Sequence, residues 1–124
     1  MYWTQIDERV VGDVAILDLR GRMTVSEESK PAADTVRRLL FEGRTSILLN
    51  LAHVPFIDSL GIGDIVRAFT ATRRAGGMLK LCNVDDRIRS VLVAAHLSGV
   101  IDSFESEQAA LASFHGSDAR DPRG

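Results

Sequence analysis

The chain lacks most of what would mark it as an enzyme, a membrane protein or a disulfide scaffold. It has one cysteine, Cys82. No internal disulfide can form, and such usage fits a reducing compartment. No stretch reaches the ~20 apolar residues of a membrane span, and residues 1–8 carry neither a basic segment nor a long apolar run, so no signal peptide is expected. The formal net charge of −2 gives no electrostatic reason to expect direct binding to nucleic acid or to an anionic membrane. The three histidines, His53, His96 and His115, are not spaced like metal ligands, so no metal is expected. Gly61 and Gly63 form a Gly-x-Gly without the third glycine of a dinucleotide fingerprint, and there is no Walker A lysine pattern. No nucleophile, base and orienting group fall together, so neither catalysis nor a cofactor is expected. These absences predict a cytoplasmic protein that is not itself an enzyme.

What is present suits one domain. The chain has 124 residues, 45% apolar and 26% charged, enough to bury a core without staples. Residues 4–11 and 14–20 read as two strands about Gly12-Asp13, a hairpin whose second strand stops at Gly21. Ala32, Val36, Leu39 and Leu40 recur at helical spacing, with Ser26 or Ser29 as cap, Pro31 in the first turn and Gly43 as stop. Residues 46–51 are nearly continuous apolar, as in a strand covered on both faces. Residues 60–75 form a helix with Ile62, Ile65, Val66 and Phe69 on one stripe. A strand at 78–83, a helix from Asp85 or Asp86 to His96, a short strand at 100–104 and a helix capped by Ser106 follow. The order predicts an α/β fold. A mixed central sheet, an N-terminal hairpin and then parallel βα units, carries about four helices. The domain is expected over residues 1–114, with a polar, aperiodic and disordered tail at 115–124.

The most informative run is Pro55-Phe56-Ile57-Asp58-Ser59-Leu60-Gly61-Ile62-Gly63, where a strand gives way to a helix. Ser59 reads as the N-cap, beside backbone N–H groups that favour an anion. A phosphate on its hydroxyl would land on those donors. Asp58 either orients the serine or closes a turn on its own backbone. Thr24 and Ser26 could line the same surface or bond locally.

From Gly21 to Phe114 the chain resembles the STAS-domain family, of the anti-sigma-factor antagonist type. The resemblance rests on an ordered set. Leu48-Leu49-Asn50-Leu51 precedes Phe56-Ile57-Asp58-Ser59-x-Gly61-Ile62-Gly63. Arg73-x-x-Gly76-Gly77, Leu79-Lys80-Leu81-Cys82, Val91-Leu92, Leu97-Ser98-Gly99-Val100, Phe104 and Glu107-Gln108-Ala109-Ala110-Leu111 follow. It implies a partner-switching module that controls transcription. Ser59 would be phosphorylated by an anti-sigma Ser/Thr kinase and reset by a PP2C-type phosphatase. The partner surface would comprise Thr24, Ser26, Phe56, Asp58, Ser59, Leu60, Gly61, Ile62 and Gly63. Where the antagonists usually carry Gly-Glu-Leu-Asp, this chain has Gly21-Arg22-Met23-Thr24, and Leu60 replaces a small polar residue. Two other readings stay open: a nucleotide or small-ligand sensor using the loops at Thr24 and Ser59, and a constitutive scaffold of a larger complex. Tyr2 and Trp3 could pack on the sheet or pair with a second copy as a homodimer.

Overall fold

Strands that are apolar on both faces need cover on both sides, and here they have it. The computed structural model describes residues 5–22 and 30–120, with side chains as far as His115. The elements are β1 (Gln5–Val11), β2 (Val14–Arg20), α1 (Pro31–Phe41), β3 (Ser46–His53), α2 (Ser59–Arg74), β4 (Met78–Cys82), α3 (Asp86–Ala94), β5 (Ser103–Phe104) and α4 (Glu107–Arg120). They form a five-stranded sheet in the order β1-β2-β3-β4-β5. β1 and β2 pair antiparallel, and the remaining neighbours pair parallel. The mixed sheet and four helices are those expected from the sequence.

Side chains alternate across each strand. Ala15, Leu17, Leu19, Ile47, Leu49, Leu51, Leu79 and Leu81 meet α1, α2 and α3 in the larger core cluster. Val14, Ile16, Leu48 and Cys82 face the other way, onto Ala110 and Phe114 of α4. Cys82 is thus a packed apolar residue, and burial raises its thiol pKa to about 12. The α4 side also holds polar groups. Lys80 is buried, donates to Ser113 Oγ at 2.9 Å and lies 4.8 Å from the Phe114 ring centre. Near the strands' C-terminal ends, Arg9 donates to Asp18 at 2.6 Å, Asn50 to Asp18 at 2.7 Å, and Asn83 to Asn50 at 2.7 Å. Its hydrogen bond to Arg9 holds the Asp18 carboxyl below the usual range.

Several boundaries differ from the sequence reading. Residues 97–101 form a turn in which Val100 and Ile101 N–H both donate to Leu97 O, so β5 shrinks to two residues. α4 continues to Arg120, past the expected boundary at 114. His115 there bonds Leu111 O at 3.2 Å and Asp13 Oδ1 at 3.0 Å. The expected caps Ser26 and Ser29 lie outside the described residues. The N-cap position of α1 is Lys30, which makes no side-chain cap bond. The first-turn donors Ala32 N and Ala33 N go instead to Asp64 of α2, both at 2.9 Å.

α1, α2 and α3 each end in a left-handed residue followed by a six-to-one hydrogen bond. In α1 and α2 the left-handed residue is Gly43 or Gly76. In α3 it is His96, at φ 61°, with Leu97 N–H donating to Leu92 O. α3 therefore stops at Ala94 rather than running to His96. A side chain in this conformation costs about 1–2 kcal/mol, part of which glycine returns as extra entropy in the unfolded chain. His96→Gly is expected to stabilise the protein by about 0.5–1 kcal/mol, read as a higher urea midpoint with an unchanged slope. A lower midpoint would contradict it.

Candidate functional site

The connection from β3 to α2 lies at the carboxyl end of the parallel strands, where open α/β sheets bind their ligands. Ile57 is buried beneath this loop. Arg87 Nη1 donates to Pro55 O at 3.1 Å, and Arg22 stands 4.7 Å from the centre of the Phe56 ring.

The N-cap of α2 is Asp58, one residue earlier than expected. Its Oδ1 accepts from Leu60 N at 3.0 Å and Gly61 N at 3.1 Å. Asp58 has the extended backbone that an N-cap takes, and the chain is already helical at Ser59. Ser59 becomes the first helical residue. It is exposed, and its hydroxyl has no side-chain hydrogen bond among the described residues. The donors that a phosphate on Ser59 was expected to meet are thus already held by a carboxylate.

Beside Ser59 runs a shallow groove of about 270 Å³ between α2 and α3, lined by Asp58, Ser59, Ile62, Val91, Ala94 and Ala95. Phe56 and Leu60, each about two-fifths exposed (40% and 42%), add apolar surface near it. Of the expected partner residues, Phe56, Asp58, Ser59, Leu60 and Ile62 come together around the head of α2. Gly61 is buried in the first turn. Gly63 faces its own helix, and a Cβ there would sit 3.3 Å from Arg67 Nη1. Thr24 and Ser26 lie outside the described residues. The contribution of α3 was not anticipated. Its apolar spacing pointed Val91 inward, but nothing marked Ala94-Ala95 as the small residues that leave the groove open. Arg22 and Arg87 carried no sequence signal. Among the described residues no His/Cys/Asp/Glu group could hold a metal, and no helix is long and apolar enough to cross a membrane.

This architecture recurs in known proteins. A Thermotoga neapolitana homologue of TM1081, whose name provisionally assigns it as an anti-sigma factor antagonist, is 26% identical over 108 residues, 87% of this chain and 96% of that protein. The crystal structure of TM1081 from Thermotoga maritima superposes with a TM-score of 0.71 at 22% identity, covering 87% of this chain and 92% of that one. The anti-sigma factor antagonist SpoIIAA from Bacillus matches in its unphosphorylated form (TM-score 0.67, 19% identity, 92% of this chain and 99% of that one). Its phosphorylated form matches as well (TM-score 0.65, 19% identity, 90% and 99%). The family model for the STAS domain aligns with residues 5–110, from β1 into α4. The chain belongs to the STAS domain family.

Proposed function

We propose that this STAS domain is an anti-sigma-factor-antagonist-like binding module, switched by phosphorylation of Ser59. The observation that carries the reading is the exposed Ser59 hydroxyl at the head of α2, without a side-chain hydrogen bond among the described residues and beside an apolar groove. A kinase can reach such a hydroxyl, and a partner seated on Phe56, Leu60 and the groove must cover it. SpoIIAA, known in phosphorylated and unphosphorylated forms, supports the reading by analogy. The partner would be an anti-sigma factor that is itself a Ser/Thr kinase. A PP2C-type phosphatase would reset the switch. This chain would supply binding, and its partners the chemistry.

The physics favours a switch located in the interface. A phosphate adds about −1.5 to −2 charge. The helix N-terminus offsets about 0.3–1 kcal/mol of its cost, and the Asp58 carboxylate opposes it. The modified domain stays folded. Inverting a bound population from 1:99 to 99:1 requires about 5.5 kcal/mol of differential affinity. A phosphate forced against the apolar surface of a bound partner loses its hydration and supplies several kcal/mol.

The test is incubation with ATP and each anti-sigma-type kinase of the same genome, read by intact mass and peptide mapping. One phosphate is expected on Ser59 and none in Ser59→Ala. The unphosphorylated form should retain the kinase in a pull-down and the phosphorylated form release it. Leu60→Ala should weaken that complex about tenfold, the ~1.4 kcal/mol of a contributing interface residue. No phosphate from any kinase, or one placed elsewhere, would sink the reading.

A further inference from the structure

Away from Ser59, the outer surface between α1 and α2 carries a second groove of about 420 Å³. Arg37, Val66, Arg67, Thr70, Ala71 and Arg74 line it. Arg67, Thr70 and Arg74 follow one another at three- and four-residue intervals and so share one face of α2. Arg37 faces them from α1. Val66, Thr70 and Ala71 are half-buried, while the three arginines are exposed.

The arginines next to these are engaged elsewhere. Arg38 pairs with Glu8 and Glu42, and Arg73 lies 5.5 Å from the Phe69 ring centre. Among the described residues, the trio has one acidic partner within ion-pair reach, Asp34 at 3.6 Å from Arg37. Asp64 precedes Arg67 by less than a turn, but its carboxylate is turned inward onto Ala32 N and Ala33 N. Gly63 leaves room for Arg67, whose Nη1 lies 3.3 Å from where a Cβ at that position would stand. Two helices thus place three arginines and a threonine around one concavity. The net charge of the whole chain is −2, so this is a local concentration against the overall sign.

We infer that this groove binds a compact phosphate-class anion carrying two or more negative charges. A guanidinium fork matches the oxygens of such a group bidentately. A tetrahedral anion can meet forks arriving from two helices at once, whereas a planar carboxylate offers two oxygens in one plane. The concavity holds about 420 Å³, the scale of a small ligand. The groove shares no lining residue with the one beside Ser59.

The test titrates the full chain with pyrophosphate at fixed ionic strength, followed by calorimetry and by backbone amide shifts. Saturable binding is expected, with shifts gathered around Arg37 and over residues 66–74. The double variant Arg67→Gln/Arg74→Gln should weaken binding at least tenfold, and Arg89→Gln on α3, which removes one charge elsewhere, should leave it unchanged. Arg67 and Arg74 are exposed and Arg89 is half-buried, and far-UV circular dichroism checks that each variant folds. Titration without saturation, shifts scattered over the molecule, an unaltered affinity in the double variant, or equal weakening by Arg89→Gln would overturn the proposal. So would association with phosphatidylglycerol vesicles in the absence of any pyrophosphate binding.

Discussion

Asp64→Ala will lower the unfolding free energy by about 2–3 kcal/mol, because it strands two buried backbone donors. Asp64 is fully buried. Its two oxygens accept from Ala32 N and Ala33 N, each at 2.9 Å. Lys30 offers the start of α1 no side-chain cap. Nothing local replaces the lost acceptors, so the cost exceeds that of an ordinary cap, about 1 kcal/mol. Asp64→Asn keeps one acceptor and turns an N–H₂ toward the other donor, so it should recover little. Burial raises the Asp64 carboxyl pKa above its ordinary 3.8, against the pull of the two N–H donors. A carboxyl raised on folding stabilises the native state below the unfolded value and loses that contribution as pH rises through the folded one. The gap between wild type and Asp64→Ala should therefore be widest below pH 3.8 and narrow above it. Urea unfolding at several pH values measures both the gap and its slope. A variant within 0.5 kcal/mol of wild type at every pH, the scale of an ordinary surface change, would refute the role.

Gly77→Ala should be about as damaging, near 3 kcal/mol, and for a different reason. A Cβ at Gly77 would lie 2.2 Å from Thr45 O and 2.8 Å from Thr45 Cβ. Thr45 O is not free to retreat, because it accepts from Met78 N at 2.9 Å where β4 begins beside β3. The neighbouring Gly76 is the internal control. It has φ 79° and open space where a Cβ would stand, so Gly76→Ala should cost only the left-handed strain, about 1–2 kcal/mol. Thermal and urea unfolding of the two variants side by side separates steric clash from backbone strain. If Gly76→Ala is the worse of the two, the close approach at Thr45 is not what Gly77 serves.

Periodicity carried most of the fold, and local chemistry misled at the ends of elements. The nearly continuous apolar run at 46–51 announced a strand covered on both sides, and Ile62, Ile65, Val66 and Phe69 marked the apolar stripe of α2. Ser59 looked like a cap because serine caps helices routinely, yet the extended residue before it, Asp58, takes the position. Only backbone geometry decides between two adjacent candidates. The cap on α1 could not be read at all, since its carboxylate arrives from a helix some thirty residues later. His96 escaped notice because histidine carries no positive-φ signature. The proposed partner surface was half legible: Phe56, Asp58, Ser59, Leu60 and Ile62 fall within one short run of the sequence, whereas the α3 wall of the groove joins them only through packing.

The length of α2 has a bearing on how this domain could integrate signals. The helix spans 16 residues, with Ser59 first and Arg74 last. At 1.5 Å per residue its ends lie roughly 22 Å apart. The Debye length in physiological salt is about 8 Å. A phosphate on Ser59 and an anion held near Arg74 are therefore largely screened from each other through water. Arg67 is the exception, since its Nη1 reaches back to Gly63, one turn from Ser59. Any dependence between the two ends would run through that guanidinium, along one rigid rod, or through a partner long enough to touch both ends.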